Sequence, residues 1–424
     1  MARPRVLYVS HGHPDFNPGG TEIYSIELFN AVRARGEFEP FLLARIDPQQ
    51  VGPERARPWD RIAASEDDPH QLLFEVAPGE VDYFFNSLRD KTLATQHYRE
   101  LLQALRPDVV HFQHTIHLGY DLLRETRALL PKTAIVYTLH EFLPICHRDG
   151  QMIRTRTDAL CERASYRQCH ACFPEHSTAD FFLRKRFIQS QLGLVDLLLS
   201  PSHFLRERFI EWGIPADRIL FEENGRRPLA KTTTRESPHN RLGFFGRLGR
   251  NKGPDVLLRA LRILAEDKSC PAIEARFYGN SEPWPEFDHA VADFPANHRC
   301  QIWVGGQYRP GDQAGLLAET DWVVVPSIWW ENSPLVIQEA FQAGRPVICA
   351  DIGGMAEKVA DGVSGLHFRA RDPFSLAQVI RRAVATSGLW EKLAAGVPPV
   401  YRIDDAAAKM AQIYRGLLNR RAVK

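Results

Sequence analysis

Two glutamates eight residues apart, Glu331 and Glu339, lie just beyond the apolar run Trp322–Val325. That run reads as a buried strand. Ser333 suits an N-cap and Pro334 a first helical position, so a helix is expected to start there. Glu331 then falls in the loop at the carboxyl end of a strand, and Glu339 in the second turn of the following helix. Open α/β sheets bind ligands at that end. Ionised carboxylates only accept hydrogen bonds, and two of them at different depths suit the adjacent hydroxyls of a sugar or ribose.

A second constellation precedes them. Gly246, Arg247, Lys252 and Gly253 follow the apolar run Leu242–Phe245 and end at Pro254. Glycines permit a tight turn where backbone approaches a ligand. A guanidinium and an ammonium just ahead of a helix N-terminus suit a diphosphate. Taken alone, the run is equally well a solvated basic turn. Gly353 and Gly354 lie in Ala350–Glu357, a glycine turn from strand to helix that can offer N–H groups to phosphate oxygens. Taken alone, a plain connection is the simpler reading. Near the N-terminus, Gly19 and Gly20 precede another helix, which Thr21 could cap. His140 ends the apolar run Ile135–Leu139.

Those residues need two scaffolds. Apolar runs at Val6–Ser10, Phe41–Ala44, Val109–Phe112, Ile135–Leu139 and Leu194–Ser200 alternate with helical patterns at Thr21–Arg35, Gly119–Leu130 and His203–Gly213. This predicts an α/β, mostly parallel, doubly wound sheet. Asn224-Gly225 reads as a turn, and a linker is expected at 229–240. The alternation then restarts, with strands at Leu242–Phe245, Ile273–Tyr278, Ile302–Val304, Trp322–Val325 and Pro346–Cys349, and a helix at Pro254–Asp267. The expected domains are 1–228, carrying a Cys-rich insertion at 144–175, and 241–404. A helix within 405–424 closes the chain and packs back toward the first domain.

The 424 residues are 44% hydrophobic and 25% charged, an ordinary globular composition. A net charge of +1 argues against a dedicated nucleic-acid binder. No apolar run approaches the length of a membrane span, and Val6–Val9 is a strand rather than a leader core. A cytoplasmic protein is expected, with peripheral association at the inner membrane face left open. Disulfides are then not expected, and the seven cysteines need another reading.

Residues Leu242–Asp361 resemble the family-4 retaining glycosyltransferases of the GT-B fold. Glu331 and Glu339 match the Glu-x7-Glu motif. Gly246, Arg247, Lys252 and Gly253 match its Gly-Arg…Lys-Gly turn, and Gly353 and Gly354 its Gly-Gly turn. The likeness extends over nearly the whole chain. It implies two Rossmann-like domains facing a cleft and transfer of a hexosyl unit from a nucleotide-diphosphate sugar to a glycan, lipid-linked or small-molecule acceptor. By resemblance, Arg247 and Lys252 neutralise the donor diphosphate, Glu331 holds the sugar and Glu339 the ribose. Gly353, Gly354 and Met355 offer backbone, while Leu335 and Val336 line the site. Gly19 and Gly20 reach the donor phosphates, and His140 bonds the donor sugar, with Glu141 a weaker acid–base candidate. The family needs no catalytic metal, because the two basic residues take that charge role, and front-face displacement is its usual mechanism. A GT-B-type epimerase and a catalytically silent nucleotide-sugar-binding protein are the alternatives. The second is disfavoured by the intact residue set.

His11, His13, His111, His114 and His117 invite a metal reading, but nothing supports them as a ligand set, so cleft-lining or structural roles are expected. Cys146, Cys161, Cys169 and Cys172 fall within twenty-seven residues and end in Cys-x2-Cys, a looser spacing than paired Cys-x2-Cys knuckles that suggests structural zinc, with His147 or His170 as substitutes for one thiolate. An iron–sulfur cluster or four reduced thiols are the other readings. Arg148, Arg154, Arg156, Arg163 and Arg167 nearby suit an anionic or lipid-diphosphate acceptor, or equally a solvated face.

Overall fold

The computed structural model describes residues 3–49, 61–91, 93–230, 236, 238–281, 283–295 and 299–422. Half of the expected linker, residues 231–235 and 237, therefore lies outside the described residues. The chain divides into two units, Met1–Arg227 with Tyr401–Lys424, and Pro228–Val400.

In the first unit the strands are β1 Arg5–Ser10, β2 Glu39–Ile46, β3 Ile62–Ala64, β4 Gln71–Glu75, β5 Val81–Asp82, β6 Ser87–Leu88, β7 Val109–Phe112, β8 Ala134–Thr138, β9 Leu197–Ser200 and β10 Ile219–Phe221. Eight of them form one sheet in the order β10-β9-β8-β7-β1-β2-β4-β3, parallel except for β3. The β5–β6 pair is separate. β1 neighbours both β2 and β7, so the winding reverses between β1 and β7. Loops leaving the carboxyl ends of those two strands must splay apart there.

In the second unit the strands are β11 Arg241–Phe245, β12 Ile273–Tyr278, β13 Cys300–Gly306, β14 Trp322–Val325, β15 Val347–Ala350 and β16 Gly365–Phe368. Their order is β13-β12-β11-β14-β15-β16, every pair parallel. This is the 3-2-1-4-5-6 order of a dinucleotide-binding sheet, with its reversal between β11 and β14. All four residues of β14 are buried, as expected for a strand covered on both faces. Each large apolar side chain so buried contributes roughly 1.5–3 kcal/mol.

Glycine decides where connections can approach. Gly253 has φ +67° ahead of the Pro254–Glu266 helix, and a Cβ there would overlap the Pro326 carbonyl. Asn224-Gly225 is not the expected turn. A Cβ on Gly225 would stand 2.7 Å from the Arg402 carbonyl oxygen and 2.8 Å from Ala406 Cβ, so the glycine makes room for the returning chain.

That return is the Ile403–Ala422 helix, which belongs to the first unit. Ala407, Met410 and Tyr414 join Tyr24, Leu28 and Val32 of the Gly20–Arg35 helix in one buried cluster. Arg226 secures the junction. Its N–H donates to the Tyr401 carbonyl at 3.0 Å and its carbonyl accepts from Ile403 N–H at 3.0 Å. Its buried guanidinium pairs with Glu27 at 2.9 Å. Among the described residues, no helix is long and apolar enough to cross a membrane.

A buried charge stripped of its partner costs more than the intact pair contributes. Glu27→Ala is expected to destabilise the first unit by about 3–5 kcal/mol, read as an earlier urea transition. An unshifted transition would show that the pair does not hold the junction.

Candidate active site

The reversal between β11 and β14 brings the two motifs of Pro228–Val400 together. Lys252 lies in the turn after β11, and Glu331 in the loop after β14. Lys252 Nζ donates to Glu331 Oε1 at 2.6 Å. The same oxygen accepts from Ser327 Oγ at 2.7 Å and from Trp329 Nε1 at 2.9 Å. The Lys252 ammonium also lies 5.4 Å above the Trp329 ring centroid, within cation–π range. The loops are tied by backbone as well, Ile328 N–H donating to the Asn251 carbonyl at 3.0 Å. Burial pushes the Glu331 carboxyl up, but the charge of Lys252 and the bonds from Lys252, Ser327 and Trp329 outweigh it and hold the group below the usual range. Neither Ser327 nor Trp329 stood out in the sequence, because their bonds depend on how the loop folds over the carboxylate.

The Gly-Gly turn locks onto the same loop. Gly354 N–H donates to the Glu331 carbonyl at 2.7 Å. A Cβ on Gly354 would overlap the Asn332 carbonyl, and Gly353 has φ +60°. The Gly354 N–H, expected to face a phosphate, is thus committed to fixing Glu331. Met355 carries its side chain into the core.

Ser333 does not cap the next helix. That helix runs Leu335–Gln342 with Pro334 at its N-cap position, and the buried Ser333 Oγ has no hydrogen-bond partner. The helix starts one residue later than expected because Pro334 adopts an extended ψ of 119°. Leu335 and Val336 are half-buried at its start. Glu339 is buried one turn further in and accepts from Gln313 Nε2, itself buried. Arg247 is exposed beside Gly246, just past β11. Gly246 N–H donates to the Tyr278 carbonyl at 2.9 Å. The Gly246 carbonyl in turn occupies the space a Cβ on Gly279 would need.

His140 lies in the other unit, just past β8. Its Nε2 donates to Gln113 Oε1 at 2.9 Å, which leaves Nδ1 as the accepting nitrogen of the neutral ring. Burial, then His114 and His11, hold it well below the usual histidine value. Gln113 leads back to His111, which bonds Thr138 Oγ1 and the Tyr414 hydroxyl, each at 2.7 Å. Tyr414 donates on to Tyr8 at 3.0 Å. The C-terminal helix thus reaches the His140 ring through a buried polar chain.

His11, His13 and His114 have structural partners. His11 Nε2 bonds Glu22 Oε1 at 3.0 Å, and its ring lies 4.4 Å from that of His114. His114 Nδ1 accepts from Ile116 N–H, so its Nε2 donates to Glu141 Oε1 at 3.0 Å. Desolvation pushes Glu141 up to about 8. His13 bonds Gln71 at 2.8 Å. Gly19, not Thr21, is the N-cap residue of the Gly20–Arg35 helix. A Cβ on Gly19 would stand 2.5 Å from Glu22 Oε2, so this glycine clears space for an internal carboxylate. Arg148 is engaged by Asp158 and by the Ile153 and Arg154 carbonyls.

Comparison with known proteins agrees with this layout. Residues 239–386 match the model described as Glycosyl transferases group 1, and residues 18–225 that of Glycosyltransferase Family 4. The chain resembles Anabaena HepE solved with UDP and glucose, at TM-score 0.67 and 17% identity over 98% of this chain and all of that one. It also resembles a sucrose-phosphate synthase from Thermosynechococcus elongatus, at TM-score 0.70 and 18% identity over 98% and 100% of the two chains. The matched families and the fold together define a glycosyltransferase of GT-B type. The chain belongs to the family-4 glycosyltransferases. Among its relatives, the D-inositol 3-phosphate glycosyltransferase of Xylanimonas cellulosilytica is 32% identical over 45% of this chain, and the match spans only 48% of that protein. The one from a Nocardioides species is 27% identical over 94% of this chain and 85% of its own length.

Because its folded pKa is depressed, Glu331 contributes stability that is present above the ordinary value of about 4.3. That contribution is lost as pH falls through the depressed value. In Lys252→Met, burial is opposed by Ser327 and Trp329 alone, so the pKa is expected to rise and the sign to reverse. Melting temperatures measured between roughly pH 4 and 7, spanning the carboxylate range, should then diverge, the variant losing ground as pH rises. Parallel curves would show that Lys252 does not set the charge of Glu331. Gly354→Ala is expected to lower Tm sharply through its overlap with Asn332, a loss that a wild-type melting curve would disprove.

Proposed function

We propose that this chain is a retaining glycosyltransferase that moves a hexosyl unit from a nucleotide-diphosphate sugar to a glycan, lipid-linked or small-molecule hydroxyl. The observation that carries the reading is the Lys252–Glu331 contact at the β11/β14 reversal, flanked by Gly246, Arg247, Gly253, Gly353 and Gly354. Lys252 and Arg247 take the negative charge that grows on the diphosphate as the glycosidic bond breaks. Glu331, kept ionised and immobile, accepts from hydroxyls of the transferred sugar. Glu339, steadied by Gln313, accepts from the ribose. Backbone at Gly353 and Met355 and the side chains of Leu335 and Val336 complete the donor surface of the Pro228–Val400 unit, with Gly354 fixing the Glu331 loop; Gly19 and Gly20 are the phosphate-facing glycines of the other unit. In the Met1–Arg227 unit, neutral His140, oriented by Gln113, is the ring offered to the donor sugar.

The reaction is front-face displacement, in which the acceptor oxygen bonds the anomeric carbon on the side the diphosphate leaves, and the departing phosphate takes the acceptor proton. Charge neutralisation by Lys252 and Arg247 makes this chemistry independent of a divalent metal. The work is done in the cytoplasm, with a lipid-linked acceptor drawing the protein to the inner membrane face. The relatives named as D-inositol 3-phosphate glycosyltransferases favour a small phosphorylated acceptor.

A panel of UDP-, GDP- and ADP-sugars tests the reading. One donor should be turned over with release of its nucleoside diphosphate, at a rate that added magnesium or manganese does not raise. The product should keep the donor's anomeric configuration by NMR. Lys252→Ala should lower kcat/KM by about 10²–10³-fold, the effect of removing one preorganised charge-stabilising donor. Absence of any donor binding or turnover across the panel would sink the proposal.

A further inference from the structure

The segment 139–177, between β8 and the Thr178–Leu192 helix, is far longer than an ordinary connection. Its buried apolar side chains all fall in its first part, at Leu139, Phe142, Leu143, Ile145, Met152 and Ile153. From residue 154 to 177 none is buried, and its one helix, Tyr166–Cys172, contributes no buried residue. A stretch of this length without a core of its own needs another constraint to hold one conformation.

The structure places four thiols where such a constraint would act. Cys146, Cys161, Cys169 and Cys172 line a single cavity of about 20 Å³. Cys146 comes from the buried half of the segment. Cys161 follows the Ile153–Leu160 bridge, and Cys169 and Cys172 share one helix face at i, i+3. The cavity holds about one water-sized sphere. That space suits a single ion. Four soft sulfur donors around one ion select zinc in tetrahedral geometry.

Charge also fits. A zinc ion with four thiolates carries two excess negative charges. Arg184, only 3% exposed, acts electrostatically on Cys146 and Cys169, and Arg154 on Cys161. The Arg184 guanidinium is fixed by the Phe84, Leu143 and Pro144 carbonyls, next to the Cys146 end of the site. Among the described residues, no three ligating side chains already form a metal shell. The thiols stand on the cavity wall, and rotation about χ1, which moves Sγ by about 3 Å, is the adjustment that ion binding would require of them. His147 borders the same cavity, with its buried Nδ1 unpartnered.

We propose that Cys146, Cys161, Cys169 and Cys172 bind one structural zinc ion, which substitutes for the missing core of residues 154–177. The full chain, purified under reducing conditions from zinc-containing medium, should carry one zinc per chain by elemental analysis. Exchange for cobalt should give the intense thiolate charge-transfer and d–d bands of a tetrahedral site. Chelation should open 154–177 to limited proteolysis, and Cys169→Ser should lose the metal while His147→Phe keeps it. If Cys169→Ser fails to fold, the cobalt spectrum and protease pattern of the unmutated chain carry the test. Zinc far below one per chain with all four thiols freely alkylated would overturn the proposal, and so would iron with visible absorbance. Loss of zinc in a folded His147→Phe with full zinc in Cys169→Ser would overturn the four-thiolate set.

Discussion

The Pro228–Val400 unit is organised around a carboxylate that has been taken out of water. Glu331 is 6% exposed, and an unpaired charge at that depth would either protonate or destabilise the fold. It stays ionised because an ammonium, a hydroxyl and an indole N–H converge on one oxygen. That convergence constrains everything near it. The turn after β11 must deliver Lys252, so Gly253 must sit flush against Pro326. The Glu331 backbone must be held as well, so Gly354 must carry no side chain. Residues that read as a ligand cradle are in the first instance the packing that lets two loops touch.

The Met1–Arg227 unit solves a related problem with neutral groups. His140 is kept uncharged by its surroundings and oriented by Gln113. Gln113 is backed by His111, which burial and the nearby His140 hold down to about 3. The chain runs on through Tyr414, supplied by the C-terminal helix, to Tyr8. A buried network whose members all have partners fixes ring orientation and tautomer together. The returning helix therefore does more than cover apolar surface on the Gly20–Arg35 helix, since it supplies one member of the network that orients His140.

Much of this was legible beforehand. Short strand patterns located β7, β12 and β14 to the residue: β14 is continuously apolar, as a parallel strand buried on both faces should be, whereas β12 alternates, with Glu274 and Arg276 half-buried. The spacing of Glu331 and Glu339 and the two glycine turns carried the family likeness. Residues 61–105 were not read as the strands β3 to β6 and the Leu93–Leu105 helix. There, strands of two to five residues leave too short a pattern for periodicity to register. Ser333 and Thr21 looked like helix caps by type, yet the caps fell on Pro334 and Gly19. Local preference for a cap is worth about 1 kcal/mol, and the packing of a loop against its neighbours readily outweighs it.

By itself, then, the sequence determined the residue types and short-range spacings: buried strands, glycine turns, paired glutamates and clustered cysteines. Only the tertiary structure decided their partners. Ser327 and Trp329 on Glu331, Gln313 on Glu339, Gln113 on His140, Tyr414 on His111 and four thiols on one cavity all depend on how strands are ordered and loops fold. A hydrogen bond is set by a few ångströms and an angle, and the separation of Lys252 from Glu331 along the chain says nothing about either until β11 and β14 lie side by side.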